Sequence, residues 1–139
     1  MNNKPIYIPS EDHAKLRLLL GALLAHKKSP NLLSLMGELN RAVVVDPQTI
    51  SPMVVRLGSS VVLRDLDSGE KDHYTLCLPE RSNPETGMIS VLAPIGTAIL
   101  GYSENDVVEW ETPGGTRRLE IQKVEQPQPT EQRAFALQT

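Results

Sequence analysis

The sequence predicts an α+β chain: a short N-terminal antiparallel helical hairpin followed by an antiparallel sheet domain with one short helix. Two observations carry this. Up to about residue 46 leucines recur at helical spacing, and beyond about residue 53 apolar and polar residues alternate with a period of two. Between the two regimes Pro47 and Pro52 bracket a linker. The expected organisation is a hairpin over 1–46, a linker over 47–53, a sheet domain over 54–125 and a disordered, proline-bearing tail over 126–139.

After an extended "PIYIP", Ser10 is placed to cap a first helix whose opening turn carries Glu11 and Asp12, acids that suit the positive end of the helix dipole. Leu16, Leu19, Leu20 and Leu23 form its apolar stripe as far as about Ala25. Ser29 and Pro30 read as the cap and first position of a second helix, with Leu32, Leu35, Met36, Leu39 and Val43 as its stripe. Two helices of about 15 residues are each about 22 Å long, and such a hairpin is marginal alone. Leu18, Leu24 and Leu33 lie outside or at the margin of the stripes, which predicts a second buried surface, against the sheet domain or another copy of the chain.

In "VVRLGSSVVLRDL" a strand, a break at Gly58 and a second strand are expected; "DSGE" is a turn and "KDHYTLCLP" the returning strand. A polar loop, "ERSNPETG", leads to a short strand, "MISVL". "PIGTAILG" has proline at the start and glycine at the end of a short helix. "DVVEWE", the turn "TPGG" and "TRRLEIQKVE" complete an antiparallel sheet of about five strands. Trp110 and Tyr74 sit mid-strand and read as core or sheet-face residues.

The 139 residues carry a formal net charge of -3, with Lys and Arg against Asp and Glu standing at 6 to 4 over residues 1–50 and 8 to 13 over 51–139. No basic stripe of the kind that binds phosphate backbones is present, so direct sequence-specific nucleic-acid binding is not expected and a protein partner is. One cysteine, Cys77, cannot close a disulfide within the chain, and its mid-strand position predicts an inert packed thiol. Glu11 and Asp12 precede the apolar run from Leu18 to Ala25 where a signal peptide carries basic residues, and eight residues do not span a bilayer. The expectation is a soluble cytoplasmic protein without a membrane role.

The acids Asp65, Asp67, Glu70 and Asp72 lack the twelve-residue pattern of a calcium loop and read as a solvated turn. "GTAILG" is followed by Tyr102, where a phosphate loop needs lysine. His13, His26 and His73 fall in different elements. No cofactor, metal or catalytic residue is expected.

The run from "GSSVVLRDLDSGEKDHYTL" through "NPETGMISVLAPIGTAILGYSENDVVEWETPGGTRRLEIQKVE" resembles the C-terminal domain of the transcript cleavage factors GreA and GreB, with "DLDSGE", "ISVLAPIGTAILG" and "DVVEWETPGG" the densest matches. The resemblance implies an FKBP-like fold that docks on bacterial RNA polymerase at the rim of the secondary channel, against a β′ coiled coil. It places the docking contacts on Leu92, Ala93, Pro94, Ile95 and Gly96. Residues alone leave a second reading open, in which Pro94 and Gly96 only shape the turn.

The hairpin departs from the cleavage factors, whose longer one carries acids that help hold a catalytic magnesium ion. Here the tip is His26, Lys27 and Lys28, and Glu38 lies about 10 Å or more from it along the second helix. A short hairpin without acids at its tip resembles the Rnk subfamily, regulators of nucleoside diphosphate kinase. The resemblance implies a non-enzymatic factor that competes with Gre-type factors, does not stimulate cleavage, and meets DNA only indirectly through the polymerase. Two alternatives stay open: a prolyl isomerase on the FKBP-like fold, against which stands that the domain offers only Tyr74, Tyr102 and Trp110 to line an aromatic pocket, and a homodimer paired through spare hairpin leucines.

Overall fold

The computed structural model describes residues 4–127, so all but the first two residues of the expected tail, Phe135 included, lie outside the described residues. Strand β1 (Tyr7–Pro9) runs directly into helix α1 (Ser10–Leu24), which turns back into α2 (Pro30–Arg41) and then strand β2 (Val43–Val45). β1 and β2 pair in parallel, Tyr7 opposite Val43 and Pro9 opposite Val45. The helical hairpin is thus a crossover between two short strands. Val43, expected to end the stripe of α2, belongs instead to β2 and is exposed, because Ala42 leaves the helix with an extended ψ of 147°.

Ser10 is the first helical residue rather than the cap. Pro9 holds that position, and no side chain caps the helix. Because β1 pairs right up to Pro9, the strand ends where the helix begins. Ser29 and Pro30 take the cap and first positions of α2 as expected, although the Ser29 hydroxyl makes no capping bond.

The second sheet has five strands in the order β5-β4-β3-β7-β6, formed by β3 (Ser60–Asp65), β4 (Lys71–Cys77), β5 (Met88–Ser90), β6 (Val107–Thr112) and β7 (Gly115–Glu125). The pairs β3·β4, β3·β7 and β6·β7 are antiparallel, whereas β5 joins β4 in parallel. The sheet is therefore mixed, not wholly antiparallel. Two single 3-10 turns, Pro79–Arg81 and Pro84–Thr86, carry the chain back so that β5 starts in the same direction as β4.

Residues 54–58, expected as a strand, form no named one. They pair singly with the loop after α3 (Pro94–Ile99): Val55 N–H donates to Tyr102 O at 2.8 Å, and Gly101 N–H to Val55 O at 2.9 Å. Gly58, at φ +90°, then turns the chain into β3.

Helices and sheet share one apolar core. Leu16, Leu20, Leu35 and Leu39 of the hairpin are buried in the same cluster as Leu63, Leu76, Val91, Ile99, Val108 and Ile121. Each such side chain contributes about 1.5–3 kcal/mol through burial, which supplies the hairpin with the stability two short helices lack. Ile6 and Ile8, on either side of exposed Tyr7, anchor β1 in this core. Leu24 packs against it too, while Leu18 and Leu33 stay on the surface, 79% and 51% exposed.

Polar links fix the hairpin at its base. Arg41 donates from Nη2 to the Tyr102 hydroxyl at 3.0 Å and from Nη1 to Lys4 O at 2.8 Å, while pairing with Glu38 at 2.7 Å. His13 Nε2 lies 3.0 Å from Leu39 O, and Arg17 donates to Asn40 at 2.8 Å.

Candidate docking surface

The five residues that the family resemblance singled out lie where β5 turns into α3. Ala93 N–H donates to Ser90 O at 3.0 Å and Leu92 N–H to Ser90 Oγ at 3.0 Å. Buried Thr97 closes the turn, its hydroxyl donating to Val91 O at 2.8 Å and its N–H to Ala93 O at 2.9 Å. Pro94 occupies the first position of α3, where a missing N–H costs nothing. Gly96 is buried because the chain crosses itself there: a Cβ would stand 2.3 Å from Ser90 O.

The five residues therefore divide. Gly96 is sealed inside and shapes the turn; Leu92, Ala93 and Ile95 are half-buried; Pro94 is exposed. The outcome is a rigid knuckle with proline outermost, which loses little conformational entropy when a partner covers it.

The tip residues His26, Lys27 and Lys28 are exposed. Asn31, in the first turn of α2, donates from Nδ2 to Leu92 O at 2.5 Å. Lys28 is three residues from Asn31, at most about 11 Å along the chain, so tip and knuckle are neighbours at one end of the molecule. Nothing in the sequence announced that bond, since the partners are 61 residues apart.

Beside the knuckle a groove of about 410 Å³ runs between α2, α3 and β6, with Asn31, Pro94, Ala98, Tyr102 and Trp110 among its lining residues. Trp110 packs on the core with its Nε1 buried and without a hydrogen-bond partner. Tyr74 instead lines a separate hollow of about 350 Å³ with Ser60, Val62, His73 and Lys123. The three aromatics of the isomerase alternative do not converge on one pocket.

The remaining candidates have structural surroundings. Asp65 accepts the N–H groups of Ser68 and Asp67 and pairs with Arg117 at 2.6 Å; the Ser68 hydrogen bond first, and the Arg117 one after it, hold its carboxyl below the usual range. Cys77 is buried, its thiol donates to Ile89 O at 3.2 Å, and burial raises its pKa. Among the described residues no three His, Cys, Asp or Glu side chains gather as a metal would require. No helix of these residues is long and apolar enough to cross a membrane.

The mixed sheet with its single short helix is the part of the chain on which a transcription-factor family match falls, and the chain belongs to the GreA/GreB family. The family description "Transcription elongation factor, GreA/GreB, C-term" matches residues 50–126. Within that family the chain falls in the Rnk branch. "Rnk N-terminus" matches residues 4–45, and the regulator of nucleoside diphosphate kinase of Escherichia coli strain K12 is 34% identical over 126 residues, 90% of this chain and 92% of that protein.

Transcription elongation factor GreA of Desulfotalea psychrophila is 43% identical over 93 residues, 67% of this chain but 58% of its own length. The chain thus spans little more than half of the GreA relatives it matches. Among solved structures, a GreA/GreB transcription elongation factor from Nitrosomonas europaea superposes with a TM-score of 0.72 at 38% identity, covering 88% of this chain and 99% of that one.

Proposed function

We propose that the protein docks on bacterial RNA polymerase through the Leu92–Ala93–Pro94–Ile95 knuckle, at the secondary-channel rim against the β′ coiled coil, and excludes Gre-type factors from that place. The observation that carries this reading is the exposed Pro94, held on a turn whose every neighbour is hydrogen-bonded or packed, in a chain of this family. Gly96 serves by permitting the crossing beneath it.

The hairpin contributes bulk and no catalytic group. Its helices have 15 and 12 residues, and the tip between them bears lysines where a second magnesium ion needs oxygen ligands. Docking without transcript cleavage follows. The effect on nucleoside diphosphate kinase in the branch name is then an outcome of altered transcription.

The test is a pull-down of core RNA polymerase by the wild type and by Pro94→Asp, with GreB as competitor, alongside a transcript-cleavage assay on stalled complexes. Loss of binding in the variant, mutual exclusion with GreB and no added cleavage are expected. Wild-type binding by Pro94→Asp, or simultaneous binding with GreB, overturns the reading.

A further inference from the structure

We propose that Lys27 and Lys28 form one continuous docking surface with the Pro94 knuckle, and that this surface takes an acidic patch on a protein partner. The inference rests on the docking reading above and adds to it the chemistry of the partner. Three observations lead to it.

First, the two sites adjoin, because Asn31 ties the start of α2 to the backbone of Leu92. The tip therefore does not project away from the docking module as an independent arm. Any partner broad enough to cover the knuckle reaches the tip, since protein interfaces bury about 800 Å² on each side.

Second, the two lysines are exposed, and their side chains have no ion pair or hydrogen bond among the described residues, the Lys27 backbone N–H alone donating to Leu23 O at 3.1 Å. No Asp or Glu occurs in residues 25–37, and residues 88–102 carry no charge of either sign. In a chain of net charge -3 this end is locally positive. Glu38 sits about 10 Å further along α2, held by Arg41, and lines the groove together with Glu109 and Glu111. A partner with its acids over the tip is attracted, whereas the groove offers such acids no unpaired cation among the described residues. Such an arrangement fixes the register of docking.

Third, the surface suits polypeptide better than nucleic acid. Residues 25–31 contain no Phe, Tyr or Trp on which a base could stack, and two lysines neutralise few phosphates. The adjoining knuckle of Leu92, Ala93, Pro94 and Ile95 is apolar.

The experiment measures the dissociation constant of the full chain for bacterial core RNA polymerase at about 50 mM and about 300 mM salt, for wild type, Lys27→Glu/Lys28→Glu and Pro94→Asp. Circular dichroism verifies that each variant is folded. The double reversal is expected to weaken binding roughly ten-fold at the lower salt, with the difference shrinking at the higher. If Pro94→Asp abolishes binding while the double reversal keeps wild-type affinity and salt dependence, the composite surface is refuted and the knuckle reading survives. If Pro94→Asp binds normally, both fall. If the double reversal leaves polymerase affinity intact but removes binding to a single-stranded RNA oligonucleotide, the tip serves nucleic acid and the proposal is overturned.

Discussion

The Asp12 carboxylate accepts the backbone N–H of Leu57 at 3.0 Å, joining the first turn of α1 to the segment that enters the sheet. Two residues 45 positions apart thus share one hydrogen bond between hairpin and sheet module.

Burial raises the pKa of Asp12, against the opposing pulls of the Leu57 hydrogen bond and the Arg56 charge. A carboxyl whose folded pKa lies above its unfolded value of 3.8 takes up protons preferentially in the folded state. Its contribution is therefore fully present below that value and is lost as pH rises through the folded pKa. In urea denaturation across the acid range, Asp12→Asn is expected to remove this pH-dependent component. Asp12→Ala should cost about 1–2 kcal/mol at neutral pH by leaving the Leu57 N–H without its acceptor.

Glycines separate by what surrounds them. Gly96→Ala should destabilise by about 2 kcal/mol or more, because its Cβ would lie 2.3 Å from a carbonyl oxygen that cannot move without breaking the turn. Gly101→Ala should behave alike, with φ at +83° and Ile6 Cβ 2.8 Å away. Gly21→Ala, on α1 with nothing within 4 Å, should stabilise by about 0.5–1 kcal/mol. Thermal melts of the three variants check the order.

Leucines separate by exposure. Leu20→Ala is expected to cost about 2–5 kcal/mol, since Leu20 is fully buried, whereas Leu18→Ala should lie within about 0.5 kcal/mol of wild type at 79% exposure. Light scattering of Leu18→Glu/Leu33→Glu beside the wild type addresses hairpin pairing. A lower mass for the variant would show that the exposed leucines join two copies.

Cys77 should resist thiol reagents. It is 5% exposed and burial raises its pKa, opposed only in part by the Arg81 charge. Ellman's reagent at neutral pH should react slowly with the native chain and fast once denaturant is added. Rapid labelling of the native protein contradicts the burial.

Helix positions were legible because leucine spacing and the Ser29–Pro30 and Pro94 starts are local signals. The hairpin of β3 and β4 was legible from alternation around "DSGE", and Gly69 takes φ +78° in that turn. The pairing of β1 with β2 was not, since three-residue strands 36 positions apart lack a period long enough to recognise. Val43 continued the helical spacing and was assigned to α2 for that reason. Parallel β5 was missed because direction depends on how the 3-10 turns fold the preceding loop, which residue pattern does not encode. At the candidate site the knuckle was readable through family resemblance, but the inward placement of Gly96 and the Asn31–Leu92 bond arise only from tertiary packing.

The pairing of β1 also bears on how the chain is made. Tyr7 bonds to Gly101 as well as lying opposite Val43, and Ile6 packs against the Gly101 backbone. During synthesis Ile6 emerges ahead of its neighbour Gly101, which is translated roughly a hundred residues later, some 5–20 seconds at ordinary ribosomal speed. Throughout that interval Ile6 and Ile8 have no finished site to enter, so their burial waits until the second half of the polypeptide has arrived.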